Sequence, residues 1–183
     1  RVQTFERQFA DYCKVNYALS TNSGTSSLEI ILRAIGVEGQ TVVMPSNTYM
    51  ATPMAAIKAG GRVIFTEWDR NNLQMDSEDL KKKIREDTKA VILVHIGGII
   101  SPSLEEIRKI CQDYQIPLVE DAAHAHGAEY FQTSAGNLGI AGSFSFYPTK
   151  VLTTAEGGMI TTNYEKLYEK AIVLREHGKA DHN

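Results

Sequence analysis

Three polar clusters in this 183-residue sequence carry residue types able to do chemistry. The first is Thr21-Asn22-Ser23-Gly24-Thr25-Ser26-Ser27, just ahead of a helical pattern. Small hydroxyl residues and a glycine let the backbone approach an anion, which free N–H groups and the positive end of a helix dipole then hold. The same residue types also serve as ordinary helix caps. The second is Leu118-Val119-Glu120-Asp121-Ala122-Ala123-His124-Ala125-His126-Gly127, an apolar strand running into two acids and then two histidines. A part-buried carboxylate here needs a cationic or donor partner. Three readings stay open: a metal site of Asp121, His124 and His126 with His95, a capped strand end, or Asp121 facing a bound cation or protonated ring nitrogen. The third is Gly142-Ser143-Phe144-Ser145-Phe146-Tyr147-Pro148-Thr149-Lys150, followed by Thr153-Thr154-Ala155-Glu156-Gly157-Gly158. Alternation puts Ser143 and Ser145 on one strand face and Phe144 and Phe146 on the other. Lys150 follows among apolar and hydroxyl residues. Desolvation there would lower its pKa and free an amine nucleophile that can hold a carbonyl as a Schiff base.

These clusters need elements to bring them together. Strands are expected over 41–44, 62–66, 90–95, 117–120, 142–146 and 159–162, from apolar runs rich in β-branched residues. Helical patterns fill 5–13, 26–35, 50–59, 76–85, 104–114 and 164–177, the last stopped by Gly178. Strands separated by helices of this length read as βαβ units around a mainly parallel sheet. In such sheets ligands collect beyond the carboxyl ends of the strands, where all three clusters fall. An anion cradle, a carboxylate and a reactive lysine on one sheet edge fit pyridoxal 5′-phosphate: the phosphate, the pyridine nitrogen and the aldehyde each find a partner. Tyr49, in Pro45-Ser46-Asn47-Thr48-Tyr49 after another strand, is the candidate aromatic over the ring. There is no Gly-x-Gly-x-x-Gly and no Gly-Lys-Ser/Thr, so neither a dinucleotide fingerprint nor a P-loop is supported.

Composition bounds the partners. Lys and Arg number 19 against 22 Asp and Glu, a formal net charge of −3, which gives no basic footprint for nucleic acid or an anionic membrane. No apolar run reaches the ~18 residues a transmembrane helix needs. The triplet Lys81-Lys82-Lys83 reads as a solvated helix face. Cys13 and Cys111 are unpatterned and are expected as reduced thiols, which points to the cytoplasm. No repeat or linker divides the chain, so residues 1–183 are expected to form one domain.

The blocks Asn22-Ser23-Gly24-Thr25, Pro45-Ser46-Asn47-Thr48-Tyr49, Glu120-Asp121-Ala122-Ala123-His124-Ala125-His126-Gly127, Ser145-Phe146-Tyr147-Pro148-Thr149-Lys150 and Glu156-Gly157-Gly158 together resemble the DegT-type nucleotide-sugar aminotransferases. The resemblance covers nearly the whole chain, and its blocks stand in the family's order. It implies a three-layer αβα fold with a mainly parallel central sheet, the large pyridoxal-phosphate-binding domain of a fold type I aminotransferase. It implies that Lys150 carries the cofactor and moves the proton, and that Asp121 partners the pyridinium nitrogen. Tyr49 would stack on the ring, and Gly24, Thr25, Ser26 and Ser145 would hold the phosphate. His124 would stand near the cofactor hydroxyl. The implied reaction takes an amino group, usually from glutamate, to a keto group of a nucleotide-linked deoxysugar, in polysaccharide or antibiotic sugar biosynthesis.

The family also implies a homodimer with its active site at the interface, and a small C-terminal domain that this chain lacks. No Gly-x-Asn-x-Arg block of that later part is present. The chain thus reads as most of the large domain of a protein about twice its length. Dehydratase relatives carry histidine in place of the lysine, so Lys150 speaks against that branch. An amino-acid lyase of the same fold type fits the blocks less well. A non-catalytic binding or regulatory protein could retain every residue of the cofactor site.

Overall fold

Residues 41–45, 90–94 and 118–121 are buried nearly throughout, as strands covered on both faces must be. The computed structural model describes residues 1–176 and residue 178. In chain order the elements are α1 (Val2–Cys13), β1 (Tyr17–Thr21), α2 (Gly24–Ile35), β2 (Thr41–Pro45), α3 (Ala51–Lys58), β3 (Arg62–Thr66), α4 (Ser77–Lys83) and β4 (Thr88–Val94). A single 3-10 turn, Ile96–Gly98, leads to α5 (Leu104–Asp113) and β5 (Leu118–Asp121). Then follow β6 (Glu129–Tyr130), β7 (Thr133–Ser134), β8 (Ala141–Ser145), β9 (Gly158–Thr162) and α6 (Glu165–Arg175).

Seven strands form one sheet in the order β1-β9-β8-β5-β4-β2-β3. The pairs β8–β5, β5–β4, β4–β2 and β2–β3 are parallel, whereas β9 is antiparallel to both its neighbours. Strand alternation sends successive side chains to opposite layers. Val42, Met44, Ile92 and Val119 face one core with Leu28, Ile31 and Leu32 of α2, Ala55 and Ala56 of α3, and Leu167 and Ala171 of α6. On the other side Val43, Val91, Leu93 and Leu118 meet Leu80 of α4 and Leu104, Ile107 and Ile110 of α5. There α1 packs Phe9, Ala10 and Cys13 against Phe144 and Phe146. The result is the expected three-layer αβα arrangement, and each fully buried large side chain contributes about 1.5–3 kcal/mol.

All six expected strands form, 62–66 with the expected ends and the others with ends shifted by at most two residues. The sequence reading missed β1, whose mixed run Tyr-Ala-Leu-Ser-Thr becomes a strand only by pairing with the distant β9, and it missed the β6–β7 hairpin. The expected end of the last helix, His177, lies outside the described residues. Both cysteines are buried and unpaired, in separate core clusters, and burial pushes each thiol up to about 12. Among the described residues no helix is long and apolar enough to cross a membrane.

The seating of α2 positions the site. Its N-cap is Ser23, whose hydroxyl oxygen accepts from the Ser26 N–H at 3.1 Å. Ser143 Oγ on β8 donates to the Gly24 carbonyl at 3.0 Å. A Cβ added at Gly24 would lie 2.9 Å from Ser145 Cβ and 3.2 Å from the Phe144 carbonyl oxygen, so only glycine lets the helix start this close to β8. Helix propensity favours Gly24→Ala by about 1 kcal/mol, but contact with β8 should reverse the sign. We expect a net loss of about 1–2 kcal/mol in urea unfolding. A variant as stable as the parent would show that the seat is looser than described.

Candidate active site

The carboxyl ends of β1, β2, β4, β5 and β8, with the start of the reversed β9, surround one cavity of about 550 Å³. That volume suits a small-molecule ligand. Gly24, Thr25, Tyr49, Asp121, His124, Ser145 and Lys150 all line it. Seven of the eight residues singled out in the sequence therefore converge from four separate stretches of chain. Ser26 does not line the cavity. Its N–H is engaged by Ser23, and its hydroxyl accepts from Ser23 Oγ at 3.1 Å. Among the described residues, the N–H groups of Gly24 and Thr25 find no acceptor and stand at the positive end of the helix. That makes a cradle for a phosphate, with Ser145 Oγ beside it on the wall.

Asp121 ends β5 and is nearly buried. One oxygen accepts from Thr52 Oγ1 at 2.7 Å and the other from the Ala123 N–H at 3.2 Å. A buried carboxylate needs such donors. The sequence reading missed Thr52, which is fully buried on α3. Its signal was a lone hydroxyl residue on the inner side of an otherwise apolar short helix.

Lys150 closes a turn that Pro148 shapes: its N–H donates to the Tyr147 carbonyl at 2.9 Å, with proline at the second position, where its fixed φ is favourable. Its amine is half-buried, and desolvation lowers its pKa from the usual lysine value while Asp121 pulls the other way. Desolvation also lowers the pKa of His124, aided by the positive charge of Lys150 and opposed by Asp121. Lys150 and Asp121 feel each other across the cavity but form no ion pair within 4 Å. Tyr49 stands at the mouth with 79% of its surface exposed.

The metal reading finds no support in this geometry. Strand alternation puts Asp121 on the α2–α3 side of the sheet, whereas His126 packs against Phe144 and Phe146, at ring-centroid distances of 5.3 and 5.5 Å, on the α1 side. Burial there pushes the His126 imidazole down to about 4. His95 lines the cavity, but its Nε2 lies 2.9 Å from Glu120. Among the described residues no three His, Cys, Asp or Glu side chains gather into a metal-holding group.

Glu120 is the second residue that sequence reasoning left without a role. It is fully buried and faces away from Asp121. Its Oε1 accepts from the Leu138 and Gly139 N–H groups at 2.7 and 2.8 Å, and its Oε2 from the Gly136 N–H at 2.7 Å. His95 completes the set of four.

A lysine, a carboxylate and a helix N-terminus thus meet at one sheet edge of a three-layer αβα fold. The chain belongs to the DegT/DnrJ/EryC1/StrS aminotransferase family, whose model matches residues 1–183. It is 40% identical to dTDP-3-amino-3,6-dideoxy-alpha-D-galactopyranose transaminase of Aneurinibacillus thermoaerophilus, over 97% of this chain and 49% of the relative. It is 38% identical to GDP-perosamine synthase of Caulobacter vibrioides, over 95% of this chain and 47% of the relative. Spr1654 of Streptococcus pneumoniae, solved in a PLP form, superposes with a TM-score of 0.93 at 27% identity, covering 100% of this chain and 52% of that one. The chain spans about half the length of the curated relatives it matches.

The Glu120 network can be tested by itself. Glu120→Gln keeps the shape but turns an NH₂ group toward N–H groups that can only donate. We expect a loss of about 3 kcal/mol in denaturant unfolding, the scale of an uncompensated buried polar cluster. A loss under about 1 kcal/mol would mean that the four contacts are not holding this edge of the sheet.

Proposed function

We propose that the protein containing these residues is a pyridoxal-phosphate-dependent aminotransferase. It would move an amino group from an amino acid, glutamate, to a keto group of a nucleotide-linked deoxysugar, in polysaccharide or antibiotic sugar biosynthesis. The observation that carries this reading is the shared cavity: a lysine with a lowered pKa, a donor-supported carboxylate and two unspent helix N–H groups face the same space. When bound, pyridoxal phosphate supplies an aldehyde for amine exchange and a protonated ring that withdraws electrons.

The roles of the chain's own residues follow from their positions. The Gly24 and Thr25 N–H groups and Ser145 hold the phosphate, while Ser26 supports the cradle by completing the helix cap. Asp121 would accept from the protonated ring nitrogen, and Tyr49, at the cavity mouth, would cover the ring face. His124 would stand near the cofactor hydroxyl, and its lowered pKa favours the neutral imidazole, which can donate from one nitrogen and accept at the other. Lys150 carries the cofactor. Because desolvation raises its neutral fraction, its Nζ can take a proton at one carbon and return it at another.

Residues 1–183 form the cofactor-binding domain in this reading. Further chain supplies the small domain and much of the sugar pocket, consistent with coverage of about half of each relative. A homodimer with the site at its interface is supported by the exposed apolar rim of Tyr49, Met50 and Tyr147 beside the cavity. The two buried, unpaired thiols support a reducing compartment, the cytoplasm.

Full-length protein incubated with pyridoxal phosphate should turn yellow, and glutamate should convert the absorbance to that of the amine form. Lys150→Ala should abolish the yellow absorbance and reduce turnover by at least about a thousandfold, because both nucleophile and proton carrier are lost. Protein that never binds pyridoxal phosphate, or colour that ignores residue 150, would sink the assignment.

A further inference from the structure

Thr52 sits fully buried on α3, on the side that otherwise presents Pro53, Ala55 and Ala56 to the core. Valine would fill the same volume, so packing alone does not require a hydroxyl there. That hydroxyl lies 2.7 Å from Asp121 Oδ2, and its other neighbour is Thr48 Oγ1, also at 2.7 Å. A threonine hydroxyl has one proton to give. If Thr52 donates to Asp121, its oxygen can engage Thr48 only by accepting. The chain therefore has one polarity: Thr48 donates to Thr52, and Thr52 donates to the carboxylate. Hydrogen bonds in series of this kind strengthen one another in a low-dielectric interior.

The two threonines flank Tyr49. The Thr52 N–H also donates to the Tyr49 carbonyl at 3.1 Å, so the turn bearing the aromatic is tied to the residue that holds the carboxylate.

We propose that Thr48 and Thr52 are positioning residues: a two-hydroxyl chain that fixes the Asp121 carboxylate as an acceptor toward a protonated ring nitrogen and locks the turn carrying Tyr49 in register with it. This inference rests on the cofactor reading above. Thr52 does not line the cavity, and Thr48, which does, has its hydroxyl engaged by Thr52. Both act through Asp121, and the Ala123 N–H on the other oxygen completes the orientation.

The test uses the full-length holoenzyme with Thr52→Val, Thr52→Ser and Thr48→Val. The readouts are the dissociation constant for pyridoxal phosphate and the ¹⁵N resonance of its labelled ring nitrogen. Thr52→Val should weaken binding about tenfold or more, the effect of losing one hydrogen bond to a charged group. It should also move the ring-nitrogen resonance toward the unprotonated form. Thr52→Ser should restore both readouts, which a purely space-filling role would not predict. Thr48→Val should produce a smaller shift in the same direction, and it carries the test if Thr52→Val fails to fold. Wild-type resonance and affinity in the valine variants, or no rescue by serine, overturns the proposal. Wild-type protein that binds no pyridoxal phosphate removes the cofactor reading and this one with it.

Discussion

Everything at the cavity edge depends on how one buried carboxylate is satisfied. Glu120 and Asp121 are consecutive on β5, so the pleat turns one into the α1 side of the sheet and the other toward α2 and α3. A charge buried without partners would cost several kcal/mol. Glu120 avoids this by accepting from three backbone N–H groups in the 136–139 stretch and by contact with His95 at the end of β4. Those bonds bind the ends of β4 and β5 to the segment that leads into β8. Asp121 inherits its fixed position from this arrangement, because its backbone cannot move without breaking the contacts of its neighbour.

The same sheet edge sets the position of α2. Its first turn rests on β8 and β9, where a Cβ at Gly158 would meet the Ser23 carbonyl and one at Gly24 would meet Ser145. Close approach brings the helix N-terminus to the cavity wall, and the Ser23 cap consumes the Ser26 N–H rather than those before it. The positive end of the helix and the carboxylate of Asp121 therefore occupy different parts of one pocket. A ligand that is anionic at one end and cationic at the other would be oriented by both before any covalent chemistry.

Much of this was legible from residues alone, for identifiable reasons. Continuous β-branched runs marked the parallel strands because those strands are buried on both faces. The clusters at 21–27, 120–127 and 142–150 were visible because polar residues at the carboxyl ends of such strands interrupt the apolar pattern. What escaped was whatever depends on contacts across sequence. β1 is a strand because β9 lies beside it. Thr52 is a single hydroxyl in an Ala-rich helix until the fold sets it against Asp121, 69 positions away. Glu120 looked like half of an acidic pair, and only the return of the 136–139 segment gives it partners. Ser26 shows the converse: a residue in the right cluster whose N–H is already committed to the cap.

The electrostatics of Lys150 show why its separation from Asp121 matters. Two opposite charges in direct contact would raise the lysine pKa, since the carboxylate favours the charged amine. Here burial outweighs that attraction, and the lysine value falls. This outcome requires the two groups to share a cavity without touching, and none of the ion pairs among the described residues joins them. Moving Asp121 closer would strengthen the pair and favour the charged amine over the nucleophilic one. Moving it far away would leave a cationic group of a ligand in this cavity without a counter-charge. The hydroxyl of Thr52 and the N–H of Ala123 hold the carboxylate between these limits.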